Sequence, residues 1–504
     1  MLVYGDRSES VDPSALLTTI RRDLAAIRTM PSGLDRHSRL IAALIETGRL
    51  LQGLADSRAS AEEQLNVFLT RLASAAVRSW DSAFWTLRDL PAVPAIEGMP
   101  EEVIVRVPEG FAYYAVYPEA YADAARRLRL RGAPRVIGIR SIGTTLGAIV
   151  AAALSAPPPI TVRPSGNAFA RKVHLPKSVL QGGPHFVIVD EGPGLSGSSF
   201  GAVARWLQQS GVPLERIAFL PSHSGDPGRE ASDEDRERWK HSQRRAAQMD
   251  PHWLASRFGR LEKLNRGEQL KFVAGVGRDR VLLKFAGLSA LGERKLEMAR
   301  ALHLAGLGPE PVGLFHGFLA EKWHDAARPL READRPVAEI AHYIATRAAL
   351  FPAHDASGAS LDELSRMARR NVSLAFGPEM AGRVTAPSAS SFQRTRTDNR
   401  LDRDKWLWRQ DGRLLKTDAL DHHQSHDLVG CQNAAWDVAG AIVEFDLNHA
   451  EAAQLISGSG PTVDRNLIDF FLIAYASFRL GEATLRSGKE GSRARYRRHL
   501  QSRL

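Results

Sequence analysis

Two stretches of the 504-residue chain hold residue types whose order could do chemistry. The first runs Phe186-Val187-Ile188-Val189-Asp190-Glu191, then through Gly192-Pro193-Gly194-Leu195 to Ser196-Gly197-Ser198-Ser199. An apolar strand that ends in two carboxylates and then a small-residue loop before a helix suits a ribose 5-phosphate. A loop at a helix N-terminus offers unpaired N–H groups and the positive end of the helix dipole to a phosphate. Gly197 lets the backbone approach closely, and Ser196, Ser198 and Ser199 add hydroxyls. Asp190 and Glu191 can accept from the ribose hydroxyls and steady positive charge on the ring. Residues 192–199 also fit Gly-x-x-x-x-Gly-Lys-[Ser/Thr], except that Ser198 stands where the lysine belongs. A merely tight structural turn is the third alternative.

An earlier loop repeats the pattern. Arg135–Ile139 reads as a strand, and Arg140-Ser141-Ile142-Gly143-Thr144-Thr145 leads into a helix. Between the two loops, the basic, breaker-rich segment 161–172, with Arg163 and Arg171, could close over a ligand. The second stretch with chemistry lies in the C-terminal half. It comprises Lys284 in Val-Leu-Leu-Lys-Phe, Glu293 and Glu297 on a following helix, Arg396-Thr397-Asp398, and Lys416-Thr417-Asp418. It ends in Asp421-His422-His423-Gln424-Ser425-His426-Asp427. On a helix, Asp418, Asp421 or His422, and His426 would share a face, and carboxylates with imidazoles can hold a divalent metal.

Elements must position these groups. Residues 13–83 show apolar positions at helical spacing. From about residue 100, short β-rich runs alternate with helices, which argues for a parallel sheet; 111–116 reads as one of the strands. Residues 225–248 are polar and highly charged. Beyond them, 272–276 and Val281–Phe285 read as a hairpin, 314–321 as a strand, 406–416 as another hairpin and 467–487 as a long helix. The expected fold class is α/β, in four parts: N-terminal helices (1–95), a parallel-sheet domain (96–225), a charged linker (226–265) and an α+β domain with a basic tail (266–504).

Composition narrows the function classes. The net charge of +10 favours anionic partners, and a run of Lys and Arg closes the chain. Cys431 alone allows no internal disulfide and no cysteine-based zinc cluster. No signal peptide opens the chain, and no apolar run reaches the ~20 residues that span a bilayer. The expected setting is the cytoplasm, without a membrane partner.

The first stretch resembles the signature of type I phosphoribosyltransferases, with Asp190 and Glu191 as the acidic pair and Ser196–Ser199 as the phosphate loop. The resemblance implies a ligand such as phosphoribosyl pyrophosphate, or a related nucleotide, with Mg2+. It makes Asp190 and Glu191 catalytic, and gives the pyrophosphate to Arg140, Ser141, Gly143, Thr144 and Arg163. Gly194 and Leu195 stand where the family often has a further acid. The C-terminal half more faintly resembles the aminoglycoside-phosphotransferase and protein-kinase-like superfamily. That resemblance implies ATP, with Lys284 and Glu297 binding the nucleotide, Asp398 catalytic and Asp418 a metal ligand. The family's Asn five residues after the catalytic Asp is Arg403 here. The leading expectation is therefore a phosphoribosyltransferase-type enzyme fused to a phosphotransferase domain. The alternatives are a non-catalytic nucleotide sensor and a nucleic-acid-associated protein that uses the basic tail.

Overall fold

The computed structural model describes residues 1–504 except 6, 7, 60, 88, 168, 182, 183, 265–269, 355, 356, 388–391, 425 and 487. Ala168 of the lid candidate and Ser425 of the Asp/His-rich segment thus lie outside the described residues. No described helix is long and apolar enough to cross a membrane.

The chain opens with strand β1 (Ser8–Val11) and helices α1 (Pro13–Thr29), α2 (Leu34–Ser57) and α3 (Glu62–Asp81). Next come β2 (Val103–Arg106), α4 (Glu109–Tyr113), α5 (Pro118–Arg126), β3 (Arg135–Ile139), α6 (Ile142–Ala153) and β4 (Ile160–Val162). A small hairpin, β5 (Ser165–Asn167) and β6 (Ala170–Lys172), precedes β7 (Phe186–Val189), α7 (Ser198–Gln209), β8 (Ile217–Leu220), α8 (Asp233–His241) and β9 (Gln243–Arg244). Strands β4-β3-β7-β8-β9 form one sheet, parallel throughout. β7 and β8 are buried along their whole length, as expected of a parallel sheet covered on both faces.

Helix α6 has almost no polar face, so it must be covered on every side. The N-terminal helices do this: α2 and α3 pack on it, with Gly48 of α2 set against Thr145. β1 pairs with β2, so the N-terminal part does not close at residue 95. The run 111–116, expected as a strand, is instead the short helix α4. Its residues 110–113 are all buried, and no alternation survives to favour a strand.

Residues 226–265 are not a linker. Trp239 of α8 stacks on Phe219 of the sheet, β9 extends that sheet, and α9 (His252–Phe258) buries Trp253 and Leu254. β10 (Leu261–Lys263) already belongs to the next unit. There, β11 (Lys271–Ala274), β12 (Val281–Phe285), α10 (Ala290–Leu304), β13 (Pro311–Phe315) and β14 (Phe318–Lys322) follow. They build an antiparallel sheet in the order β10-β11-β12-β14-β13, with α10 inserted between β12 and β13.

The rest is mainly helical. It contains β15 (Arg328–Pro329), α11 (Val337–Leu350), β16 (Pro352–Ala353), α12 (Leu361–Phe376), α13 (Pro378–Gly382), β17 (Arg394–Thr395), β18 (Trp406–Trp408) and β19 (Leu414–Lys416). Helices α14 (Ala435–Phe445), α15 (His449–Gly458), α16 (Ile468–Leu485) and α17 (Glu490–Gln501) complete it. The basic tail is α17. Tyr496 and Leu500 bury one face of it, and Arg495 reaches Glu444 at 3.0 Å, so part of the expected nucleic-acid-binding charge is tied down inside the fold.

Gly138 lets β3 and α6 approach: a Cβ there would overlap the Gly143 carbonyl oxygen. Gly138→Ala is expected to destabilise the protein by about 1–3 kcal/mol or more, because backbone cannot yield as a side chain can. Gly491→Ala, which meets nothing within 4 Å in a helix, should change stability by no more than ~1 kcal/mol, in the stabilising direction. Urea melts of both variants check the contrast.

Candidate functional site

The first group of residues gathers where the carboxyl ends of β3 and β7 lie side by side. From β3 the chain goes out to β4 on one side, and from β7 it proceeds to β8 and β9 on the other. The crevice between β3 and β7 is therefore the topological switch point, where open α/β sheets bind ligands. Asp190 and Glu191 stand at the end of β7. Burial raises Asp190 well above the ordinary carboxyl range. Burial and the neighbouring Glu109 raise Glu191 to about 8, so at neutral pH Glu191 holds a proton that it can donate to a ligand oxygen.

Gly197 caps α7 with φ +60°. Ser196 donates to the Ser198 hydroxyl at 3.0 Å, and both side chains are buried, while Ser199 is half-buried. Gly228 and Glu230 donate to the Gly194 and Leu195 carbonyls at 2.9 and 3.0 Å, which closes one side of the loop. Arg140 and Arg163 lie together. Arg163 donates to the Arg140 carbonyl at 3.2 Å, and both guanidinium groups pair with Asp56 of α2, Arg140 at 3.2 Å. Gly143 and Thr144 fall differently from expectation. Both are inside α6: Gly143 faces the Val189 carbonyl and Thr144 is fully buried, so these two pack the helix on the sheet. Ser141 remains at the helix start.

The second group converges between the antiparallel sheet and the helical part. Lys284 projects from β12 and pairs with Asp418, which follows β19 at φ +57°. Lys405 reaches the other Asp418 oxygen at 3.1 Å. Burial opposes the charge on both partners. For Lys284 the carboxylates Asp418 and Asp421 outweigh it and hold the ammonium above its ordinary value. For Asp418 the cations Lys284, His422, Lys405 and Lys271 hold it well below. Asp398 is enclosed: Tyr343 donates to it, and Lys416 sits 3.1 Å away. Asp437, at the start of α14, accepts from the Asp398 and Asn399 amides at 2.7 and 3.0 Å and fixes that loop. Burial, then Asp398, raises Asp437 to about 6.

Glu297 does not join Lys284. It is exposed, as is Glu293. The inward residue of α10 is Lys295, which pairs with Asp421 at 3.0 Å and lies over the Tyr113 ring. The signal for it was in the sequence, since Lys295 falls on the stripe Leu291, Met298, Ala299, Leu302. Nor does 418–427 form a helix; its described residues make turns. Asp418, Asp421 and His422 still bring ligand atoms within 4.8 Å of one another, while His426 packs instead against Tyr4 and Tyr114. Asp402 is bound to Arg479 at 2.6 Å, and Arg403 reaches the Phe445 carbonyl at 2.9 Å. Of the residues near Asp398, Asn399 is the one with a buried side-chain oxygen left without a partner.

No protein-family model matches the chain, and no curated protein does. Solved structures of kinases and phosphotransferases match about half of it. Choline kinase LicA from Streptococcus pneumoniae is 15% identical, with 50% of this chain and 97% of that chain covered and a TM-score of 0.35. A choline/ethanolamine kinase family protein from Mesorhizobium loti is 16% identical over 50% and 90%, with a TM-score of 0.32. An aminoglycoside phosphotransferase from Alicyclobacillus acidocaldarius is 12% identical over 51% and 93%, with a TM-score of 0.34. None of these supports the phosphoribosyltransferase resemblance of residues 96–225.

Glu191 gives a pH prediction. Its carboxyl titrates near 8 in the folded chain against an ordinary 4.5. Between those values the folded chain holds a proton that the unfolded chain has released, so stability falls as pH rises through the window. Glu191→Gln removes this loss. Its melting temperature should gain on the wild type by several degrees between about pH 5.5 and 8, at about 2–4 °C per kcal/mol, read by differential scanning calorimetry.

Proposed function

We propose that the chain is a two-site enzyme. Its C-terminal unit transfers a phosphoryl group from ATP to a small hydroxylated metabolite, and its parallel-sheet unit binds a ribose phosphate. One observation carries the first half: Lys284 on a strand meets Asp418 on the loop of the facing part, beside an Asp398 whose backbone Asp437 grips. In phosphoryl transfer of this kind a strand lysine neutralises nucleotide phosphates, one loop carboxylate holds magnesium and another accepts the proton of the attacking hydroxyl. Lys284, Asp418 and Asp398 take those roles in turn. The hard oxygens of Asp418, Asp421 and Asn399 suit magnesium, which when bound would offset charge on the transferring phosphates. The space lined by Lys284, Glu321, Lys416 and Asp418 is about 10 Å3, room for no more than one water. ATP therefore enters as the two parts separate, exchanging the Lys284–Asp418 contact for phosphate and metal.

The ribose-phosphate half is supported by the switch-point crevice, the Asp190-Glu191 pair at its floor and two arginines at its side. The absence of a third acid at Gly194 and Leu195 favours binding there over turnover. A second reading, a nucleotide sensor without chemistry, is favoured by Lys416 on Asp398 and by Arg403 in the expected metal-ligand position.

Thermal-shift and ATP-consumption assays separate them. Mg·ATP should raise the melting temperature of the wild type, and Lys284→Ala and Asp418→Asn should each lose most of that rise. Asp398→Asn should keep it while ATP consumption falls about 10²–10⁴-fold. Stabilisation that survives both of the first two substitutions contradicts the assignment; stabilisation of the wild type with no consumption selects the sensor. Phosphoribosyl pyrophosphate should stabilise the wild type, and Arg140→Ala/Arg163→Ala should lose that effect alone.

A further inference from the structure

Away from both sites, three fully buried side chains from distant parts of the chain meet: His37 of α2, Glu119 of α5 and His316 in the β13–β14 turn. Both imidazole Nε2 atoms lie 2.8 Å from the same oxygen, Glu119 Oε1. Both Nδ1 atoms lie on serine hydroxyls, His37 at 2.9 Å from Ser79 and His316 at 3.0 Å from Ser38. Trp80, Phe84, Tyr117 and Trp253 wall the cluster.

The protons do not close this arrangement neatly. Ser38 donates its hydroxyl proton to the Leu34 carbonyl at 2.8 Å. In the Ser38–His316 pair the donor is then His316 Nδ1–H, and a neutral His316 turns its Nε2 lone pair toward a carboxylate oxygen. The other oxygen, Glu119 Oε2, is buried with no hydrogen-bond partner. Burial keeps His37 neutral by lowering its pKa, and the neutral imidazole is the form that ligates metal. His316 itself sits in the left-handed region at φ +46°, a conformation that costs about 1–3 kcal/mol for a non-glycine residue and persists only where its surroundings enforce it.

We propose that His37, His316 and Glu119 are the ligands of a buried structural site for a zinc-class divalent cation. Two Nε2 atoms and a carboxylate that uses both oxygens supply four donors, the number a closed structural zinc site takes. Each imidazole is steered by a hydroxyl on its other nitrogen, the second-shell pattern of metal-bound histidine. Zinc–ligand bonds of about 2.0–2.2 Å set donors roughly 3.3 Å apart, so the side chains need to spread by about half an ångström. The ion would fasten α2, the parallel-sheet unit and the antiparallel sheet at one point. Nothing in this proposal depends on either phosphate site being active.

The test uses the full chain, expressed without a histidine tag, loaded with zinc and dialysed. Elemental analysis should find about one zinc per chain, and stripping it with a chelator should lower the melting temperature by several degrees. Cobalt loading should give the visible d–d bands of a four-coordinate site. His316→Gln and His37→Gln should lose the metal, whereas His422→Ala, in the other His-carboxylate cluster, should keep it. If His316→Gln fails to fold, the wild-type metal content and cobalt spectrum still decide. Wild type that retains no zinc, a melting temperature indifferent to the chelator, or zinc lost in His422→Ala but kept in His316→Gln overturns the proposal and leaves a histidine–carboxylate hydrogen-bond network.

Discussion

The contact between Lys284 and Asp418 constrains the C-terminal half more than any other. Each charge is nearly removed from water, with side-chain exposures of 8% and 16%, and a lone buried charge costs several kcal/mol. The antiparallel sheet carries one partner and the helical part the other, so the two parts sit where the charges can meet. Around the pair, Lys405, His422 and the Lys295–Asp421 bridge continue an alternation of signs. A polyanion with a divalent cation can substitute for that alternation with little change in net charge. The closed arrangement thus describes what the site must accept.

The two sites are joined by very little chain. Helix α4 lies between them. The Gly110 N–H donates to Glu191, while the Phe111 carbonyl accepts from Leu288 at 2.9 Å and the Ala112 carbonyl from Lys295 at 3.3 Å. Tyr113 donates to the Gln424 carbonyl. One short helix therefore touches the carboxylates of the first site and both the helix and the metal-side loop of the second. The N-terminal helices carry no chemical motif, yet their physical role is clear. They cover α6, and Asp56 neutralises Arg140 and Arg163 while no phosphate does.

Much of this was legible in the sequence. The apolar runs at Phe186–Val189 and Val281–Phe285 marked the strands that end in Asp190 and carry Lys284. The hairpin at 406–416 and the alternation from residue 100 placed the rest of both sheets. What failed has local causes. The run 111–116 is too short and too uniformly buried for periodicity to tell helix from strand. The segment 226–265 looked like a linker because its charges concealed Trp239 and Trp253, which anchor it. Glu297 was preferred over Lys295 by analogy of residue type, although the helical phase turns Glu297 outward. Gly143 and Thr144 read as phosphate donors because a tight helix–strand contact and an anion loop use the same small residues. The meeting of His37, Glu119 and His316 has no local signal at all, since 82 and 197 residues separate the paired positions.

The most direct test is an experimental structure of the protein with magnesium and a non-hydrolysable ATP analogue. The account predicts that the Lys284–Asp418 contact opens, with Lys284 on the phosphates, Asp418 on the metal and the adenine between β14 and the helical part. A nucleotide bound elsewhere, or bound with the Lys284–Asp418 contact intact, would contradict it.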